Sequence, residues 1–381
     1  MTRRILLMMA DTGGGHRSSA EAVMEALQVH YGDQCAPKMV DVLSGYAPFP
    51  LNRLDRLYPY MTRFSSITWE PAYRFTNTPE RARLLIRTAW PIAQKAAHDA
   101  LINNPTDLIV SFHPLFNYAM LWAKEKENNT TPMMTMVTDM VTIHAMWCAP
   151  GMLKYLVPTE QAARLVRGNG IDKDKIEITG LPISRRFAEM AGRPKREVRK
   201  NLDRDPDLPT VLLMGGGQGL GRMYPIARAI ASIKHEFQLI IVAGRNPSLK
   251  IQLYLADWKI PTRIYGFTRE IPALMAASDI LVTKAGPSTV AEAMAMGLPM
   301  LISGYIPGQE DGNMKLVVRG KAGVYMPKPK QMAQTLREWL AGGSQTLAEL
   351  SESARKLGRP KAADTIAHII YKLADQEGRT L

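Results

Sequence analysis

Residues Ser278–Asn313 constrain this chain more than any other stretch. Ile280–Thr283 is a short β-branched apolar run, the pattern of a buried strand. Lys284-Ala-Gly then leads into Pro287-Ser288, with Gly286 as helix N-cap and Pro287 at the first helical position. The helix runs from Ser288 to Met296 and stops at Gly297, a residue suited to a left-handed C-terminal turn. Pro299–Ser303 reads as a second buried strand, and a polar, glycine-rich loop follows to Asn313. Parallel pairing of the two strands would open both loops on one sheet edge, where open α/β sheets bind ligands. Backbone N–H groups at Gly286–Thr289 favour an anion there, most simply a diphosphate. Glu292, one turn above Ser288, suits a ribose hydroxyl pair, and Gln309, Glu310 and Asn313 suit sugar hydroxyls. A nucleotide sugar fits this set better than a bare phosphate. The chain has neither the GxxxxGK[ST] phosphate loop nor the GxGxxG dinucleotide spacing.

The same plan recurs elsewhere. Ile5–Ala10 reads as a strand, Gly13-Gly14-Gly15-His16 as a tight turn, and Ser18–Leu27 as a helix. His16 therefore sits at a helix N-terminus, where the dipole disfavours imidazolium, and a neutral imidazole there suits a general base. Further strands at Leu108–Ser111 and Met133–Val137 end at His113 and at Thr138-Asp139, with His144 and Trp147 close behind. These would share the carboxyl edge with His16. A second α/β run starts at Thr210–Met214, turns through Gly215–Gly221, and continues as helix and strand. The expectation is two doubly wound halves facing a central cleft. They would be an N-terminal domain over 1–184 and a C-terminal one over 208–355. Between them lies a charged linker at 185–207, and a helix at 356–381 would return to the first domain. Asp203-Arg-Asp205 and Asp205-Pro-Asp207 imitate a metal-holding DxD, but beside Pro206 and Pro209 they read as solvated linker.

Two cysteines, Cys35 and Cys148, exclude a disulfide framework or a Cys-based zinc site. Arg3-Arg4 before Ile5–Ala10 imitates a secretory signal, but its apolar core is too short for one. No apolar run approaches the ~20 residues of a membrane span, so a cytoplasmic protein is expected. A net charge of +13 calls for an anionic partner. Seven arginines fall between Arg53 and Arg87, among Tyr58, Tyr60, Phe64, Trp69, Tyr73 and Phe75. That mixture suits an interfacial membrane segment, a single-stranded RNA binder, or simply a solvated arginine face over core aromatics.

Three segments carry a family resemblance: GGGHRSSAEA at 13–22, VTDMVTIHAMW at 137–147, and KAGPSTVAEAMAMGLPMLISGYIPGQEDGN at 284–313. GGGQGLG at 215–221 and GFTREIPALMAASD at 266–279 add to it. The chain resembles glycosyltransferase family 28, and within it the diacylglycerol glycosyltransferases of the monogalactosyldiacylglycerol synthase kind. The resemblance implies an α/β, GT-B fold of two Rossmann-like domains, the acceptor in the first and a UDP-sugar in the second. It implies an inverting, metal-independent transfer of galactose or glucose to diacylglycerol, with no cofactor beyond the co-substrate UDP-hexose. His16 would be the base, and His113, Asp139, His144 and Trp147 would lie on the acceptor side. Gly217 and Gly219 would lie near the diphosphate with Gly286, Ser288 and Thr289. Phe267 and Ile271 would meet the uracil, Glu292 the ribose, and Gln309 and Glu310 the sugar. Arg53, Tyr58, Arg63, Phe64 and Trp69 would contact anionic lipids on the inner face of the cell membrane. One alternative is the transfer of N-acetylglucosamine to a lipid-linked peptidoglycan precursor, against which the insertion at 46–78 speaks. The other is a non-catalytic nucleic-acid-binding α/β protein, for which the chain has no known RNA or DNA motif.

Overall fold

The computed structural model describes residues 2–11, 14–49, 51–53 and 69–377. The chain divides into two compact units. The first holds Met1–Arg185, Ile306–Gln309 and Lys361–Leu381, and the second Arg186–Tyr305 and Glu310–Pro360.

The first unit is built on six parallel strands: β1 (Arg3–Met9), β2 (Cys35–Asp41), β3 (Leu108–Ser111), β4 (Met133–Met136), β5 (Tyr155–Val157) and β6 (Ile176–Ile178). Their order is β2-β1-β3-β4-β5-β6. Ile5 to Met9 are all buried, as an apolar run covered on both faces must be. Pro37 is tolerated in β2 because that strand lies at the sheet edge. The order reverses between β1 and β3. At that point the helix Gly15–Tyr31 begins, after Gly14 at φ 85, with no side-chain cap on its first turn. The last helix, Ala362–Glu377, packs on the first one. There Tyr371 stacks on Tyr31 at 3.7 Å, and Asp364 accepts from His30 at 2.8 Å.

The second unit repeats the plan with β7 (Thr210–Met214), β8 (Gln238–Val242), β9 (Thr262–Tyr265), β10 (Ile280–Lys284), β11 (Met300–Gly304) and β12 (Gly323–Tyr325). All pairs are parallel, in the order β12-β11-β10-β7-β8-β9. Counted within the unit this is 6-5-4-1-2-3, the Rossmann arrangement, with its reversal between β7 and β10. The strand–helix–strand piece falls where its residues direct it. Gly286 caps the helix Pro287–Met296, and Gly297 closes it at φ 64. The segment 185–207, expected to be a solvated linker, carries the short helices Arg185–Met190 and Lys195–Asn201. Val198 packs on Ala276 and Ala277 there. The buried Arg199 guanidinium pairs with Asp279 and donates to Ala277 O. The apolar side of this helix is too short for periodicity to reveal.

Candidate active site

In the first unit the reversal point gathers imidazoles. His16, on the first turn of the helix Gly15–Tyr31, lies 4.4 Å from the His113 ring and 6.2 Å from the Trp147 ring, centroid to centroid. Its Nδ1 is 2.8 Å from Phe112 O, and a carbonyl only accepts, so Nδ1 carries the proton. Thr138 Oγ1, at 2.7 Å, shares that same nitrogen. Nε2 takes no hydrogen-bond partner among the described residues and holds the lone pair. Burial pushes the His16 pKa down to about 4, with the Phe112 carbonyl and Asp11 opposing it. The ring is thus a neutral base of fixed tautomer at neutral pH, and desolvation is the main cause.

The other residues assigned to this side play different parts. His113 is buried, and its Nδ1 caps the helix Pro114–Lys126 by accepting from Leu115 N–H at 3.4 Å. Burial and the neighbouring His16 lower its pKa well below the usual value. Trp147 is fully buried, so it offers an acceptor no face; its Nε1 donates to Asp139 Oδ2 at 2.7 Å. His144 is buried too and brought to about pKa 4. Its Nδ1 accepts from Met146 N–H, and its Nε2 meets Thr76 Oγ1 at 3.0 Å, which ties the turn to the helix Trp69–Thr76. Gln309 belongs to this unit and donates to Asp139 Oδ1 at 3.4 Å, whereas Glu310 belongs to the other. Two residues adjacent in sequence and expected to read one sugar are therefore separated in their contacts.

In the second unit the reversal point gathers glycines around an ion pair. Lys284 ends β10, and its Nζ donates to the buried Glu310 carboxylate at 2.5 Å. A Cβ on Gly216 would lie 3.7 Å from Lys284 Cε, and one on Gly286 3.0 Å from Nζ, so the pair runs beneath both glycine loops. The two glycines assigned to the diphosphate differ. Gly219 has φ +60 and a Cβ there would overlap Ala243 O, so its role is to close the turn. Gly217 has open space where a side chain would be, so its backbone is approachable. Glu292 lies on the helix Pro287–Met296 with Ser288 and Thr289, and burial raises its carboxyl to about 8. It is protonated at neutral pH and can donate as well as accept. Phe267 is half exposed with the Arg245 guanidinium 4.0 Å above its ring, and Ile271 opens the helix Ile271–Ala277. Asn313 spends its amide on Ala285 O at 3.0 Å.

The model of monogalactosyldiacylglycerol synthase matches residues 16–183, and that of the glycosyltransferase family 28 C-terminal domain matches 210–368. Monogalactosyldiacylglycerol synthase 2, chloroplastic, of Arabidopsis thaliana is 34% identical over 386 residues, covering 99% of this chain and 82% of its own. The Spinacia oleracea synthase is 35% identical over 385 residues, covering 98% of this chain and 73% of its own. The chain belongs to the monogalactosyldiacylglycerol synthase family. It is a UDP-sugar-dependent glycosyltransferase. The solved structure of MurG from Acinetobacter baumannii superposes with a TM-score of 0.63 at 15% identity, covering 97% of this chain and 99% of that one, which shows the GT-B fold.

Membership in this family corrects one expectation. These relatives are chloroplastic proteins, which overturns the reading of a cytoplasmic enzyme on the inner face of the cell membrane. A low cysteine count and short apolar runs do not distinguish one reducing compartment from another. Among the described residues no helix is long and apolar enough to cross a membrane. Of the assigned membrane contacts, Tyr58, Arg63 and Phe64 lie outside the described residues; Arg53 is exposed, and Trp69 is half-buried with its ring 6.4 Å from Tyr73.

Thr138, expected on the carboxyl edge beside His16, does meet it, whereas Lys284 and Arg245 carry no site role in the sequence reading. A lysine directly after a β-branched strand and before Ala-Gly-Pro was the available signal for Lys284. Arg245 had only its position after a strand and Gly244.

Proposed function

We propose that this enzyme moves galactose from UDP-galactose to the free hydroxyl of 1,2-diacylglycerol, inverting the anomeric carbon without a metal ion. The coarser activity, hexose transfer from a UDP-sugar to diacylglycerol, follows from family membership. The observation that carries the proposed base catalysis is the state of His16: neutral, Nδ1 engaged by Phe112 O, lone pair on Nε2. The choice of galactose leans on the relatives' name, monogalactosyldiacylglycerol synthase. In the proposed step Nε2 takes the proton of the diacylglycerol hydroxyl as that oxygen attacks the anomeric carbon. The bond from that carbon to the diphosphate breaks, and UDP leaves with the electron pair. His113 keeps the ring packed, and the Asp139–Trp147–Gln309 set shapes the acceptor side. On the donor side the open backbone at Gly217, the helix N-terminus at Gly286–Thr289 and Lys284 stabilise the departing diphosphate. Protonated Glu292 meets the ribose, Phe267 and Ile271 the uracil, and Glu310 the sugar.

The acceptor stays in a bilayer, so the enzyme must dock. On the helix Pro79–Ile102 the side chains of Leu84, Leu85 and Ile92 are exposed beside Arg81, Arg83 and Arg87. The exposed Phe75 lies under Arg81 at 4.5 Å. An apolar strip edged by arginines suits anionic lipids, at ~1 kcal/mol for each well-placed cation.

The test supplies diacylglycerol in anionic liposomes with UDP-galactose or UDP-glucose, with and without EDTA, and reads lipid products by mass spectrometry. One hexose added from UDP-galactose, unaffected by EDTA and lost in His16→Ala, is expected. Preference for UDP-glucose, or loss of product in EDTA, overturns the finer reading.

A further inference from the structure

The outer edge of the second sheet carries a surface that the transfer reaction leaves unused. β9 is the last strand of that sheet, and the helix Pro247–Tyr254 packs beside it. Ile251, Tyr254 and Leu255 occupy positions i, i+3 and i+4, one helical face, and are 60%, 59% and 83% exposed. Three large apolar groups side by side on a solvent face exceed the scattered exposure of an ordinary surface. The Tyr254 hydroxyl donates to Ile264 O at 3.2 Å, which fixes its ring against the edge strand. Cations lie along this edge. Lys250 Nζ lies 5.6 Å from the Tyr254 ring of the trio, and on the edge strand itself the Arg263 guanidinium lies 6.0 Å from the ring of Tyr265. Lys259 is exposed nearby in sequence, and Asp257 is the one carboxylate between Arg245 and Arg263.

We infer that this edge of the second unit is a second bilayer contact: Ile251, Tyr254 and Leu255 enter the headgroup–acyl boundary while Lys250, Lys259 and Arg263 engage anionic headgroups. An apolar centre with a cationic, aromatic-backed rim is the chemistry of an interfacial segment. The charge excess selects an anionic membrane over a neutral protein face. Arg263 on the edge strand also discourages pairing with another strand. The inference rests on the acceptor being a membrane lipid.

The test uses the full chain with vesicles of phosphatidylcholine and phosphatidylglycerol. Flotation of Ile251→Asp/Leu255→Asp and of Lys259→Glu/Arg263→Glu is compared with wild type at low and high salt. The apolar variant should partition about tenfold less at both salt levels. The charge variant should lose a similar factor at low salt and converge with wild type at high salt. Both should turn over dispersed dioctanoylglycerol, without vesicles, at the wild-type rate, which also shows that they fold. Flotation equal to wild type in both variants overturns the inference. So does a wild-type dimer that becomes monomeric in the apolar variant with flotation unchanged, which would make this face a contact between copies. Should wild type produce no glycolipid, the proposed reaction fails while the flotation result still decides the surface.

Discussion

The two reversal points of the two sheets share one plan and differ in how they hold their ionisable groups. Each lies where the strand order turns, at β1/β3 and at β7/β10, and each opens with a glycine turn into a helix. The first keeps its imidazoles uncharged: burial lowers the pKa of His16, His113 and His144, and tautomers are fixed by carbonyl and amide partners. The second concentrates charge, with a buried Lys284–Glu310 pair beneath two glycine loops and a protonated Glu292 nearby. On the proposed roles, a site that removes a proton needs an uncharged base, and one that receives a departing diphosphate needs positive potential. Topology set the places, and side-chain burial set the chemistry.

The largest effect that would break this division is on His16. His16→Ala should lower the initial transfer rate by about 10²–10⁴-fold, the usual contribution of a positioned base. Thermal unfolding should change little. A variant that retains a tenth of the rate would move the base elsewhere. In the second unit the main loss should be structural. Lys284→Met leaves the Glu310 carboxylate buried without its cation and should cost about 3 kcal/mol in denaturant unfolding. Adding Glu310→Gln should recover most of that. If the double variant is no more stable than the single one, the pair is not what holds the loops. The glycines sharpen the contrast further. Gly219→Ala must shift Ala243 and strain a left-handed residue, so a loss of about 2 kcal/mol is expected. Gly217→Ala should unfold within about 0.5 kcal/mol of wild type while raising KM for the UDP-sugar. Equal stability losses at both positions would dissolve the distinction between closing glycine and cradling glycine.

Much of this was legible before any coordinates. Short apolar runs bounded by turn residues marked β1, β7, β10 and β11, the β10 run being β-branched as well. Gly286, Pro287 and Gly297 marked both ends of one helix, because each residue suits one backbone state there. The segments 13–22 and 137–147 were singled out, and they do converge around His16. What was not legible depends on depth. Helix polarity suggested a neutral His16, but the dominant cause is desolvation, which no local pattern reports. Trp147 and His144 look alike in sequence to residues that face a substrate, and only their burial and partners show them holding Asp139 and Thr76. Lys284 opens the segment 284–313, but nothing in that segment shows that its partner is Glu310. Gln309 and Glu310 are neighbours in the chain, and only tertiary packing sends one to Asp139 and the other to Lys284.

The smallest effect separates the two regions by pH. His16 has its pKa lowered to about 4, so it is neutral, and competent as a base, at every pH above that value. The profile of kcat/KM should hold nearly level from pH 7.5 down to about 5 and then fall tenfold per unit below 4. An ordinary imidazole, titrating near 6.5, would already have bent the profile at pH 6. The same shift acts on folding. Between 6.5 and 4 the unfolded chain takes up a proton that the folded His16 refuses, so its contribution weakens stability as pH falls through that window. Glu292 moves the other way. Raised to about 8, it is a neutral donor below that pH and becomes an anion above it, which would weaken the proposed ribose contact and add charge to a site for an anionic donor. KM for the UDP-sugar should therefore climb two- to threefold between pH 7.5 and 8.5, and Glu292→Gln should remove the climb while the acid limb stays in place. Initial rates across pH 4 to 9, at subsaturating and saturating donor, measure both limbs. If Glu292→Gln moves the acid limb, the two regions titrate as one site, and the division of proton removal from phosphate release falls.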